Sequence, residues 1–310
     1  METKTHTYVA IDVAKDDLQI QIGNHPYQMA NNAKGYIQLY RQIRKLEEPL
    51  VVYEATGNYE RKLMEYCFSK DIAQARINPA LVRHFAGSEG IKAKNDPTDA
   101  RMILRYAQQK HPQPMRPRPK HLVDLADLLD RRSHLSEQLT KEKNRQEKGN
   151  ARISGSIERM IRFIKKETER VDADIQKLIR GNPILQEQAG IIESVKGAGK
   201  ITAWTILAYL PEITELPRNK IVALAGLAPF DKDSAKQHKP RRIFGGRAKI
   251  RKCLYMTAMV AAVHNPVIKS YVDGLRARGK PYKSAMVAAM RKLLLHIQSQ
   301  LKNPQPALDL

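Results

Sequence analysis

The chain has 310 residues, 42% of them hydrophobic, enough for two modest domains and a connector. Lys and Arg number 54 against 32 Asp and Glu, a formal net charge of +22, which makes a polyanion the expected partner and nucleic acid the default one. Cys67 and Cys253 are far apart, with no Cys or His at zinc-ligand spacing. No apolar run reaches the length of a signal peptide or a membrane span. The expectation is therefore a soluble, cytoplasmic, nucleic-acid-associated protein with two buried, reduced thiols and no membrane partner.

Residues 1–110 read as one α/β domain. TYVAID (7–12) is a short apolar strand, and LQIQIG (18–23) alternates like its hairpin partner. A helix is predicted over 35–46, a buried strand at PLVVYEAT (49–56), a helix over 59–68, a strand at IAQARIN (72–78) and a helix over 96–109. Strands interleaved with helices imply a mixed sheet covered by helices. HPQPMRPRPK (111–120) carries four prolines in ten residues and reads as a stiff, basic linker.

Residues 121–180 are helical and highly charged, with a narrow apolar stripe. It runs through Leu122, Leu125, Leu129, Ser136 and Leu139, then through Ile153, Ile157, Met160, Ile164, Val171, Ile175 and Leu178. A stripe that narrow suits a coiled-coil seam. Gly149 and Gly155 predict a break between two long helices, which could pair as an internal hairpin or with another chain. Residues 181–310 read as a mainly helical domain. KGAGK (196–200) fits either a helix-hairpin-helix turn whose amides face a DNA phosphate or a plain helix–helix turn.

Four carboxylates stand out on so basic a chain. Asp12 and Glu54 each end an apolar strand, where a charge is costly unless it meets water, a ligand or a metal. Asp96 and Asp99 are three apart at a helix start and so share a face. If the two strands are neighbours and the helix covers their ends, all four converge. A pair of divalent cations, Mg²⁺ above all, would then relieve the repulsion and serve phosphoryl transfer. NDPTDA (95–100) is equally a well-formed helix start, with Asp96 as N-cap and Pro97 in the first turn. Asp12 could begin a turn, and Glu54 could pair with an arginine.

A second candidate is Ser234, in APFDKDSAKQHKPRRIFGGR (228–247). Most loop serines cap helices or face water. This one is followed by Lys239, Arg241, Arg242, Arg247, Lys249 and Arg251, and Gly245 and Gly246 would let a phosphate approach the backbone. A serine needs a base or a metal to become a nucleophile. His238, Asp231 and Asp233 are near it in sequence. Lys196 and Lys200, with Lys239 and the basic residues after it, are the expected nucleic-acid contacts.

YVAID, VVYEATG, KAKNDPTDA, KGAGKITA and GLAPFDKDS…RRIFGGR…LYMTA, in this order over nearly the whole chain, resemble the DEDD-type insertion-sequence transposases. These are the bridge-RNA-guided recombinases related to the Piv DNA invertases. The resemblance implies a RuvC-like, ribonuclease-H-type N-terminal domain in which Asp12, Glu54, Asp96 and Asp99 bind two Mg²⁺ ions. It implies a C-terminal transposase domain in which Ser234 attacks DNA to form a phosphoserine link. Its implied partners are donor and target DNA, a noncoding guide RNA encoded by the element, and further copies of the chain. The oligomer would be a dimer or dimer of dimers whose active sites combine the acidic domain of one protomer with the serine domain of another, in a prokaryotic cell. The chain departs from the family at Ala235, where glycine often follows the serine.

The expected activity is thus Mg²⁺-dependent DNA strand cleavage and rejoining. Two alternatives share the composition. A Holliday-junction nuclease would use metal-activated water and keep nicking DNA after Ser234→Ala. A non-catalytic nucleic-acid-binding protein would bind in a salt-sensitive way, unaffected by Asp12→Asn.

Overall fold

The structure is a computed structural model. It describes residues 6–55, 57–89, 96–230 and 242–303, with the side chains of 96–98, 230 and 242 excepted. The chain divides into two compact units, Met1–Pro117 and Arg118–Leu310.

The first unit is built on a five-stranded sheet. β1 (Thr7–Val13), β2 (Asp17–Ile22) and β3 (His25–Ala30) form an antiparallel meander. α1 (Ala33–Ile43) leads to β4 (Pro49–Glu54), which pairs parallel to β1. α2 (Arg61–Ser69) leads to β5 (Gln74–Ile77), parallel to β4. The strand order is β3-β2-β1-β4-β5, compatible with a ribonuclease-H-type sheet. α3 (Pro79–Ser88) and α4 (Asp96–Lys110) complete the unit.

Side-chain alternation along β1 and β4 splits the unit into three layers. Val9, Ile11, Val13, Val51 and Tyr53 pack with Tyr36 and Leu39 of α1 and Leu63 and Cys67 of α2. Tyr8, Ala10, Leu50 and Val52 pack on the opposite face with Val82 and Phe85 of α3 and Ile103 and Ala107 of α4. β1 is covered on both sides, as its unbroken apolar run requires.

Two elements depart from expectation. β3 is mostly exposed, with only Met29 buried, and contains Pro26. It is tolerated because β3 is an edge strand, where one side of the backbone needs no partner. α3 follows an Asn-Pro start: Asn78 caps the Ala80 amide and Pro79 occupies the first turn. The same start opens two helices of the second unit, at Asn182–Pro183 and Asn265–Pro266. The proline-rich stretch is drawn back onto the sheet, since the Met115 amide donates to the Gln74 carbonyl at 2.8 Å.

The second unit opens with α5 (Lys120–Lys148) and α6 (Ala151–Arg180), an antiparallel hairpin turning at Gly149. Arg132 and Asp172 tie its arms together at 2.6 Å. The seam on α6 is Ile157, Ile161, Ile164, Val171, Ile175 and Ile179. This corrects the expected stripe: Ile153 and Met160 are exposed while Ile161 is buried, Ile179 replaces Leu178, and on α5 Leu135 is buried where Ser136 was expected. The arms pair with each other, so a second chain is not needed to bury the seam.

α7 (Pro183–Ser194) and α8 (Lys200–Tyr209) follow, then a 3-10 turn (Pro211–Ile213) and α9 (Arg218–Leu224). β6 (Pro229–Phe230) pairs antiparallel with β7 (Arg242–Ile243), and α10 (Ala248–His264), α11 (Pro266–Ala277) and α12 (Tyr282–Lys302) close the unit. α8 is buried continuously from Thr202 to Ala208 and forms the centre of this core. Among the described residues no helix is long and apolar enough to cross a membrane.

Gly197 shows how tightly α10 approaches the α7–α8 turn. Its φ is +101°, and a Cβ there would lie 2.6 Å from the Ala261 Cβ and 2.8 Å from its Cα. Gly197→Ala is expected to destabilise the protein by ~1–3 kcal/mol through overpacking and backbone strain. Gly190, inside α7 with open space around it, behaves oppositely: Gly190→Ala is expected to stabilise by ~0.4–1 kcal/mol through the unfolded chain. Urea unfolding of both variants measures this, and a loss at Gly197 no larger than that at an exposed helix position would refute the close-packing account.

Candidate functional site

Ile11 of β1 lies opposite Tyr53 of β4 in the parallel register, so Asp12 and Glu54 follow as neighbours at the carboxyl ends of adjacent central strands. By alternation Asp12 shares a face with Tyr8 and Ala10, and Glu54 with Leu50 and Val52. That is the face covered by α3 and α4. Asp99 precedes the buried Ile103 by one helical turn on α4, which packs against β1, β2 and β4. Asp12, Glu54 and Asp99 are all half-buried. α4 begins at Asp96, whose side chain lies outside the described residues.

The three acids act on one another. The Glu54 carboxyl is pushed up to about 7, first by burial, then by the charges of Asp12 and Asp99, with Arg83 opposing. Arg83, on α3, is a member of this site that sequence reasoning did not single out. Its signal was the Asn-Pro helix start that places it. Among the described residues no three His, Cys, Asp or Glu side chains already form a cation cluster. The donor set nonetheless fits a hard divalent cation. It offers only carboxylate oxygens, and their mutual repulsion is what a cation would offset.

Glu60 and Gln74 are buried polar residues near β4, each held by its own partners. The Tyr53 hydroxyl donates to Gln74 Oε1 at 2.6 Å, Gln74 Nε2 donates to the Met64 carbonyl at 3.0 Å, and Arg76 pairs with Glu60 at 3.3 Å. These bonds fix the chain on either side of the turn that follows Glu54.

In the second unit, Ser234, Ala235, Lys239 and Arg241 lie outside the described residues, as does the side chain of Arg242. β6 and β7 pair on either side of that segment. Gly246 serves the protein's own packing, where a phosphate approach was expected. A Cβ there would collide with the Gly226 backbone and lie 2.8 Å from the Leu224 carbonyl.

The expected phosphate contacts divide into two groups. Both terminal nitrogens of Arg247 donate to Glu212, at 2.6 and 2.8 Å, and Nη1 also donates to the Tyr209 carbonyl at 2.9 Å. That pair holds the Glu212 carboxyl below its usual range and makes Arg247 an architectural residue. Lys249 is bound to Asp130 and sits 4.5 Å over the Tyr209 ring. Arg251 donates to the Gly245 carbonyl. Lys196 lies in the α7–α8 turn, where its carbonyl accepts from Asn265 at 3.3 Å. Lys200 opens α8. Cys67 is buried as expected, but Cys253 is only partly covered and lines a groove.

Comparison with known proteins agrees with this layout. A DEDD-type IS110 transposase profile matches residues 3–148, and a profile described as "Transposase IS116/IS110/IS902 family" matches residues 189–273. The chain belongs to the IS110 family of transposases. Two pilin gene-inverting proteins, from Moraxella bovis and Moraxella lacunata, are 28% and 29% identical to it, with 97% of each chain covered. An uncharacterised 43.6 kDa protein of insertion element IS110 from Streptomyces coelicolor is 24% identical over 48% of this chain and 36% of its own.

For this IS110-family chain the raised Glu54 carboxyl carries a stability consequence. Its ionised form is disfavoured in the folded state, so its contribution to stability is fully present below about pH 4.5 and is lost as pH rises through about 7. Asp12→Asn removes one repelling charge. In chelator it is expected to melt at a higher temperature than wild type near pH 8, with a smaller difference near pH 5. Thermal unfolding at the two pH values tests this, and coincident curves near pH 8 would show that the acids do not influence one another.

Proposed function

We propose that the protein is a DNA recombinase that cuts and rejoins strands at the ends and target of a mobile or invertible DNA segment. The observation that carries this reading is the meeting of Asp12, Glu54 and Asp99 on one face of the sheet, each charge felt by Glu54. The family membership and the inverting activity named for the Moraxella relatives support it.

Asp12, Glu54, Asp96 and Asp99 would hold two Mg²⁺ ions, which when bound neutralise phosphate charge and favour deprotonation of an attacking hydroxyl. Arg83 limits the repulsion among the acids before a cation is present. Ser234 is the proposed nucleophile. Its Oγ forms a bond to phosphorus while a P–O bond of the DNA breaks, the serine proton leaves and a DNA hydroxyl is released. The hydroxyl of the exchange partner then attacks the phosphoserine and frees Ser234. The number of phosphoester bonds is unchanged, so no nucleotide hydrolysis is required. Lys239, Arg241 and Arg242 would face DNA phosphates beside the serine.

In this reading DNA sites are chosen by a noncoding RNA from the same element, and the protein works as a dimer or dimer of dimers. The exposed Ile153, Met160 and Phe163 on α6 support self-association at the far end of the hairpin.

Purified protein, joined element ends, the adjoining noncoding RNA and Mg²⁺ are combined, stopped in denaturant and resolved for protein covalently attached to DNA. Wild type is expected to give an adduct that maps to Ser234 and needs the RNA. Ser234→Ala and Asp12→Asn are each expected to lower it at least ~10²-fold. Cleavage that persists without an adduct in Ser234→Ala would replace this mechanism with hydrolysis by water.

A further inference from the structure

The second unit contains a groove of about 910 Å³ between the α5–α6 hairpin, α8 and α10, within the size range of pockets that hold a small molecule or a nucleotide. Its two sides differ in chemistry. Along the hairpin the charges are already matched, Arg132 by Asp172 within it and Asp130 by Lys249 of α10. On the α8–α10 side Lys200 and Lys252 line the groove with no acidic partner among the described residues. The same lining carries an apolar shelf, Ile201 of α8 with Met256 and Val260 of α10, which are 45%, 57% and 46% exposed. Cys253 borders the same shelf, its sulfur 4.0 Å from the Ile201 carbonyl.

Unmatched ammonium groups beside an exposed apolar shelf in a concavity call for a ligand that is anionic at its edges and flat and apolar at its centre. A DNA duplex offers phosphates but hides its base faces in the stack, so it would leave the shelf wet. An unpaired strand offers both. We propose that the groove receives one unstacked nucleotide of single-stranded DNA, its base against Ile201, Met256 and Val260 and its flanking phosphates on Lys200 and Lys252. The assignment rests on the strand-exchange reading above, in which a DNA strand passes through an unpaired state. It gives that strand a holding site built from residues other than Asp12, Glu54, Asp99 and Ser234.

Cys253 supplies the readout, because Cys67 is fully buried and stays silent. Burial raises the Cys253 thiol, so alkylation is followed at mildly alkaline pH. The full-length protein is labelled with iodoacetamide, alone or with a ten-nucleotide single-stranded DNA, the matching duplex or the matching RNA. Single-stranded DNA is expected to slow labelling at least fivefold relative to duplex. Met256→Gln with Val260→Gln, a neutral change at exposed positions, is expected to weaken single-strand binding about tenfold without altering the melting temperature. Equal protection by duplex would make the groove a backbone-phosphate site and overturn the proposal. Stronger protection by RNA than by DNA, or no protection by any strand, would overturn it as well. Asp12→Asn, which should abolish the covalent adduct, is expected to leave protection intact, so failure of the recombination chemistry and failure of this site give different results.

Discussion

Alternation along two paired strands decides where the chemistry of the first unit sits. Because Ile11 and Tyr53 are opposite each other and face α1 and α2, the next residues, Asp12 and Glu54, must both face α3 and α4. A one-residue slip in either strand would send its acid to the other side of the sheet and bring a core residue out. The burial of Val9, Ile11, Val51 and Tyr53 therefore fixes the position of the carboxylates as firmly as it fixes the fold. α4 adds Asp99 to the same face because Ile103 and Ala107 must reach the sheet. The repulsion among the acids is thus built in by apolar packing, and the Glu54 carboxyl, raised first by burial and then by the Asp12 and Asp99 charges, records both.

The second unit relies on a different constraint, the close approach of backbones. Gly197 admits α10 at Ala261, and Gly246 meets Gly226 and Leu224 where β7 returns to the helical core. Asn265 caps α11 through its Oδ1 and bonds the Lys196 carbonyl through its Nδ2, so one buried amide joins a helix start to the α7–α8 turn. The Thr202 and Thr257 hydroxyls bond at 2.8 Å between α8 and α10. Turn geometry, helix spacing and polar satisfaction all bear on the surface that carries Lys200 and Cys253.

Much of the first unit could be read from the sequence because its signals are local. TYVAID and PLVVYEAT are continuous apolar runs ending in acids, and β1 and β4 occupy those positions. β3 was illegible because an edge strand needs little apolar content and HPYQMA contains a proline. α3 was missed although Asn78–Pro79 announces it, and with it Arg83. The α6 seam was misplaced by one residue because Met160 and Ile161 are both apolar. Only the partner helix distinguishes them, which is a tertiary fact. The convergence of Asp12, Glu54 and Asp99 followed from two conditions, neighbouring strands and a covering helix, that alternation satisfies. Ser234, Lys239 and Arg241 lie outside the described residues, so for them the sequence is the whole of the argument.

The positive excess also proves to be unevenly available. From composition alone Arg247, Lys249 and Arg251 looked equivalent to Lys200 as phosphate contacts. Arg247 is bidentate on Glu212, Lys249 is held by Asp130 and the Tyr209 ring, and Arg251 is bound to a backbone carbonyl. Each has part of its donor set engaged, and Arg247 and Lys249 also have their charge matched by a carboxylate, so the net gain from nucleic acid is reduced by what each already has. Lys200 and Lys252 have no such acidic competitor among the described residues. The formal charge of +22 sets how strongly the protein attracts a polyanion at a distance. Where the strand comes to rest depends on the smaller set of cations left unmatched beside apolar surface, and that set could not be read from composition, because it is defined by which arginines and lysines the fold has already engaged.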